Sequence, residues 1–134
     1  MHHFPIRIYY EDTDLAGIVY YANYLKFIER ARSEWLRALG VDQGAMRRLG
    51  FVFAVRRVEA DYLSPARFDD LLTVESRLQG LTAARISLTQ IVTRGDAVLF
   101  RAQVTLACLA QSGRPARIPP EVATLLQPPE IAGN

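Results

Sequence analysis

The chain has 134 residues, half of them hydrophobic, with 16 basic against 14 acidic side chains and one cysteine. Such a length and apolar content suit a single domain, residues 1–134, with a core of its own. A formal charge of +2 without a basic stripe interleaved with aromatics speaks against a dedicated nucleic-acid binder, and the lone Cys108 excludes an intrachain disulfide.

A reducing, cytoplasmic compartment fits that cysteine usage, and the opening residues MHHFPIRIYY carry no secretory pattern. No apolar run approaches the ~20 residues of a membrane span, so membrane insertion is not expected. Fifteen of the sixteen basic residues are arginine, Lys26 being the exception. Base composition of the genome accounts for this more simply than phosphate binding does.

In chain order, Arg7 to Glu11 reads as a short first strand, and Asp12 to Ala22 as a loop rich in turn-formers. A helix follows from about Asn23 to Leu39, with Asn23 as its cap and Gly40 as its stop. Tyr24, Phe27, Ile28, Ala31, Trp35, Ala38 and Leu39 recur at helical spacing, while Arg30 and Glu34 can pair one turn apart. Gln43 to Leu49 adds a helical turn. From Phe51 the period changes from about 3.6 to two, giving strands at Phe51 to Leu63, Leu71 to Gln79, Ala84 to Thr93 and Ala97 to Ala110. The separators Gly80 to Thr82 and Arg94 to Asp96 are short enough for antiparallel hairpins. A proline-rich stretch from 115 to 134 holds a short helix at Glu121 to Leu126 and a loose tail. One strand, one long helix and four antiparallel strands define an α+β chain in which one helix covers one sheet.

Histidine occurs only at positions 2 and 3, at an end expected to fray, so a Ser-His-Asp or Cys-His pair is not available. Glycine-rich phosphate loops, the G-x-S-x-G elbow and metal-ligand spacings are also missing, and no cofactor is implied. Mid-strand Cys108 reads as core packing. Chemistry therefore falls to carboxylates. Asp12 and Asp14 flank Thr13, Gly17 allows a tight turn, Ile18 to Tyr21 are apolar and aromatic, and a helix start follows at once. An aromatic wall beside a carboxylate raises its pKa toward neutrality, and the free N–H groups of a helix start favour developing negative charge.

The run Asp12-Thr13-Asp14-Leu15-Ala16-Gly17-Ile18-Val19-Tyr20-Tyr21 with Asn23-Tyr24 resembles the 4-hydroxybenzoyl-CoA thioesterase family of hotdog-fold enzymes. It is most similar to that family's Tol-Pal-associated branch of acyl-CoA thioesterases, which shares the Tyr-Tyr-Glu-Asp-Thr-Asp opening at residues 9 to 14. The likeness continues through Phe27 to Arg32 and returns at Ser64 to Asp70. It implies a five-stranded antiparallel sheet wrapped around one long central helix, with acyl-CoA sites formed between paired subunits. It also implies Asp14 as the catalytic aspartate and the Tyr21 backbone N–H as oxyanion donor. The Tol-Pal-associated branch usually carries histidine at the position of Tyr21, whereas the benzoyl-CoA branch also accepts an aromatic residue.

The chemistry of the residues agrees with that implication. A thioester leaves as a thiolate whose conjugate acid titrates near ~8.5, so departure needs little general acid and one carboxylate suffices. Asp14 can attack the carbonyl or deprotonate water. Gly17, Ile18, Val19, Tyr20, Tyr24 and Ser64 are the expected substrate-binding set, with Trp35 a further candidate for the acyl pocket. Asp12 is assigned to orienting the loop. Glu29, on the helix, is a rival carboxylate whose simpler reading is an ion pair with Arg32 or Arg67, and Ser64 before Pro65 reads more simply as a turn. Arg67, Arg85 and Arg101 are of the type that holds the nucleotide end of CoA. Hydrolysis of a small to medium acyl-CoA is the leading expectation. A noncatalytic partner of acyl carrier protein or of a lipid enzyme, using the same cleft, is the alternative. Open sheet edges need cover, so a homodimer, or a tetramer formed as a dimer of dimers, is expected.

Overall fold

A computed structural model describes residues 1–127. Five strands, β1 (His2–Arg7), β2 (Phe51–Tyr62), β3 (Leu71–Leu81), β4 (Arg85–Arg94) and β5 (Ala97–Ala110), form one antiparallel sheet in the order β1-β3-β4-β5-β2. Helix α1 (Asn23–Ala38) lies in its curve, and α2 (Gln43–Arg48) and α3 (Pro120–Leu126) are short. This is the expected helix wrapped by a sheet.

The core lies between α1 and the inner face of the sheet. Tyr24, Phe27, Ile28, Ala31 and Trp35 are buried on the helix, as the spacing predicts. Leu36 and Arg32 join them, while Ala38 is exposed and Leu39 only partly covered, so the buried stripe turns further around the helix than expected. Across from them lie Leu72 and Val74 of β3, Ile86, Leu88 and Val92 of β4, and Phe100, Ala102, Val104, Leu106 and Cys108 of β5. Burial pushes the Cys108 thiol above its ordinary value, consistent with packing and not reactivity. Three polar residues, Arg32, Ser76 and Gln90, interrupt this core and satisfy one another. The Gln90 amide donates to Ile28 O and Ser76 Oγ, both at 2.9 Å, and its Oε1 accepts from Arg32 Nη1 at 3.0 Å.

Four local expectations need correction. The first strand runs over His2–Arg7 and not Arg7 to Glu11, because residues 2–7 pair in register with Leu71–Ser76, leaving Tyr10–Asp12 to a single 3-10 turn. The two histidines thus belong to the sheet, and His3 Nε2 stands 3.4 Å from Glu75. Glu34 pairs with Arg37 and not with Arg30. Glu29 accepts from Ser33 Oγ at 2.8 Å instead of pairing with Arg32 or Arg67. Asn23 is the first residue of α1 and not its cap. Its amide reaches back to donate to Asp12 O at 2.9 Å. A bulge between Val55 and Arg57 shifts the pairing register within β2, which a strict period of two does not reveal. Gly40 ends α1 at φ 90°, as anticipated. The expected loose tail after residue 127 lies outside the described residues. Among those residues no helix is long and apolar enough to cross a membrane.

Candidate active site

The loop from Asp12 to Ala22 is a built turn. Asp12 Oδ2 accepts from Tyr9 N at 2.8 Å, and Asp12 O accepts from Tyr20 N and from the Asn23 amide, both at 2.9 Å. Asp14 N donates to Ile18 O at 2.9 Å, Gly17 N donates to Asp14 O at 3.0 Å, and Gly17 takes φ 80°, a conformation that glycine adopts without strain. Asp14 Oδ1 accepts from Ala16 N at 2.9 Å, an Asx-type turn.

This hairpin docks on the loop after β2. Ile18 bridges to Arg67, Val19 N donates to Ala66 O at 2.8 Å, and the buried Tyr24 hydroxyl accepts from Ala66 N at 3.2 Å. Asp70 braces that loop by accepting from Arg67 N at 2.9 Å and from Arg94 Nη1 at 2.8 Å. Burial by itself would raise the Asp70 carboxyl, but the Arg67 N–H and the Arg94 guanidinium outweigh it and hold its pKa below the ordinary value. A depressed carboxylate contributes stability above its unfolded pKa, and that contribution is lost as pH falls through the folded one. Asp70→Asn is therefore expected to cost about 1 kcal/mol at pH 7, a value suited to a half-screened pair, and to cost progressively less below about pH 4. Urea unfolding across that range checks this, and a cost independent of pH would contradict it.

Two adjoining cavities border the hairpin. The first, of about 320 Å³, is lined by Ile18, Val19, Tyr21, Tyr24 and Ser64, together with Tyr62, Leu63 and Pro65. The second is an open groove lined by Asp14, Gly17 and Thr13, with Tyr10, Leu15 and Phe68 as exposed apolar walls. Gly17 lines the groove and Ile18, the next residue, lines the cavity. Tyr20 lines neither, its ring resting 5.0 Å from that of Tyr21. Asp14 is exposed, so one subunit does not give it the apolar shelter that the sequence suggests. Trp35 belongs to the core. Among the described residues no cluster of side chains has the make-up of a metal site.

Behind the first cavity the aromatics interlock. Tyr24 stacks on Phe100 at 4.9 Å, and Tyr62 meets Phe100 and Tyr24 edge-on at 5.0 and 5.6 Å. Tyr62 escapes the sequence reading, since an aromatic at a strand end has no local mark that separates lining from packing. At the entrance to α1, the Tyr21 N–H finds no acceptor among the described residues, although the neighbouring Tyr20 and Asn23 N–H groups are both bonded.

A five-stranded antiparallel sheet wrapped on one long helix is the hotdog fold. The chain belongs to the thioesterase-like superfamily, whose model matches residues 9–126. Among particular relatives, it is 40% identical over 121 residues to the acyl-CoA thioesterase YbgC of Haemophilus influenzae, covering 89% of each chain. It is 39% identical over 106 residues to the acyl-CoA thioester hydrolase YbgC of an Escherichia coli O6:H1 strain, covering 78% of this chain and 79% of the other. The crystal structure of a probable thioesterase from Bartonella henselae superposes with a TM-score of 0.84 at 38% identity, over 88% of this chain and 98% of that one. These relatives bear out the resemblance to the YbgC-like branch of acyl-CoA thioesterases.

Proposed function

We propose that this protein hydrolyses small to medium acyl-CoA thioesters to the free acid and CoA. The observation that carries this reading is the unbonded Tyr21 N–H, which stands at the start of the 16-residue α1 and at the mouth of the aromatic cavity. The acyl group enters that cavity, whose volume of about 320 Å³ is at the lower end for ligand pockets and suits a short chain or a ring better than a long chain. Its carbonyl lies at the Gly17–Ile18 border, between the cavity and the groove that holds Asp14. Attack on the carbonyl carbon puts negative charge on the oxygen, which the Tyr21 N–H and the positive end of the α1 dipole stabilise. The carbonyl then reforms and the C–S bond breaks, the electron pair leaving with CoA as thiolate. Asp14 acts either as the attacking nucleophile, with water cleaving the resulting anhydride, or as the base that deprotonates water. Ser64 and Tyr24 shape the cavity. Steady-state turnover of a graded acyl-CoA series by wild type and Asp14→Asn tests the reading, and an inactive wild type that captures acyl carrier protein would favour the binding alternative.

The acting unit is a dimer that pairs along β2. The other free edge, β1, is six residues long and has Pro5 at its middle, which blocks further pairing. In contrast, β2 is twelve residues long and exposes Val52, Val55 and Val58, with Leu25 of α1 beside them. Arg32, only 8% exposed, finds no carboxylate within 4 Å among the described residues, and burial pushes its pKa down while Glu29 pulls it up. Glu29 and Arg32 line the same α1–β2 clefts, so a two-fold copy sets one against the other and neutralises this buried charge. Tyr62, at the end of β2, brings the same edge to the rim of the aromatic cavity. Val55→Arg combined with Val58→Arg is expected to sediment as a monomer and to lose at least about tenfold in turnover. Wild-type protein that is fully active as a monomer would rule out this assembly.

A further inference from the structure

We infer that Tyr62 is a positioning residue for the reaction, its hydroxyl fixing the Tyr21–Ala22 peptide, which adjoins the one carrying the Tyr21 N–H, so that the backbone donors at the entrance to α1 are held toward the thioester oxygen. This rests on the reading of the Tyr21 N–H as an oxyanion donor. Two successive peptides form the entrance to α1. In the Tyr20–Tyr21 peptide, the carbonyl accepts from Asn23 N at 2.8 Å, which fixes the plane that carries the Tyr21 N–H. In the Tyr21–Ala22 peptide, the carbonyl accepts from Tyr62 Oη at 2.9 Å, across 41 residues of sequence. Each plane is tied by its oxygen. Both N–H groups, of Tyr21 and Ala22, remain without an acceptor among the described residues.

A carbonyl accepting a hydrogen bond polarises its own peptide, so the Tyr62 contact makes the Ala22 N–H a better donor as well as a better oriented one. The two torsions at Tyr21 that join these planes are thereby held from both sides. Tyr62 can do this because its own ring is fixed, edge-on to Tyr21 at 6.1 Å, to Tyr24 at 5.6 Å and to Phe100 at 5.0 Å. Partial burial, and then the adjacent Tyr21 phenol, push the Tyr62 hydroxyl above its ordinary value, so it stays protonated and donating through the neutral range. Oxyanion donors act through preorganisation, and removing one outright typically costs ~10²–10³ in rate. Loosening one whose atoms remain is expected to cost less.

The test is Tyr62→Phe, which keeps the ring and its packing and removes only the hydroxyl. Steady-state kinetics on a short-chain acyl-CoA should show kcat reduced about 10-fold with KM within about twofold of wild type, the pattern of an interaction used in the transition state. The ¹H–¹⁵N resonances of Tyr21 and Ala22 should shift in the same variant, a readout that keeps the inference testable if Tyr62→Phe also lowers the melting temperature. Wild-type kcat in Tyr62→Phe alongside an inactive Asp14→Asn would overturn the role of Tyr62 and leave the site intact. Wild-type kcat in Asp14→Asn would overturn the reading of the site and this inference with it.

Discussion

Asp14→Asn is expected to lower turnover of a short acyl-CoA by about 10²–10⁴-fold while leaving stability near that of wild type. Asparagine preserves the side-chain oxygen that accepts from Ala16 N at 2.9 Å, so the turn at Gly17 keeps its shape. The side chain is exposed, so the fold gains little from its charge. What the amide cannot do is form an anhydride with the acyl group or remove a proton from water. Loss of either function falls on kcat, because both act after the substrate is seated. Circular dichroism and thermal melting establish that the variant is folded, and turnover against several acyl-CoAs gives the rate ratio. Equal turnover in the two proteins would remove Asp14 from the chemistry and return Glu29 to consideration.

Phe100→Ala should have the largest effect on stability, about 3–5 kcal/mol, within the range for removing a fully buried aromatic side chain. Phe100 has no exposed surface, stacks on Tyr24 at an interplanar angle of 11° and meets Tyr62 at 70°. It therefore joins the core to the back wall of the aromatic cavity. Truncation leaves a void between β5 and the start of α1 that neighbours fixed by the sheet cannot collapse to fill. Against a total stability of roughly 5–15 kcal/mol for a domain, such a loss is large. The urea midpoint should fall with an unchanged m-value, and activity should decline with it as Tyr24 and Tyr62 lose their shared support. A cost below about 1 kcal/mol would mean that the ring is not held as tightly as its burial implies.

Most of the secondary structure was legible because its causes are local. A stripe from Tyr24 to Trp35 at helical spacing, the glycine at position 40 and the alternation from Val98 to Cys108 each depend on neighbours within one turn or one strand. Residue types also sufficed to anticipate a sharp turn at Gly17, which takes φ 80°. Two of the errors fell where a distant partner outweighs local preference, and two where a neighbour one turn away on α1 took the place of the expected ion-pair partner. Residues 2–7 become a strand through their register with Leu71–Ser76, and Asn23 gives up capping because Asp12 O lies within its reach.

The chain alone was enough to set the α+β class, the antiparallel hairpins of its later strands and the loop that carries Asp14, all through short-range periodicity and turn chemistry. Tertiary packing settled what no local pattern encodes. It set Tyr62 against a carbonyl 41 residues away, buried Arg32 with no carboxylate within 4 Å among the described residues, and left Asp14 in a groove beside the aromatic cavity instead of within it. Such contacts depend on how the sheet curls around the helix, and that curl is the joint result of every long-range pair in the core.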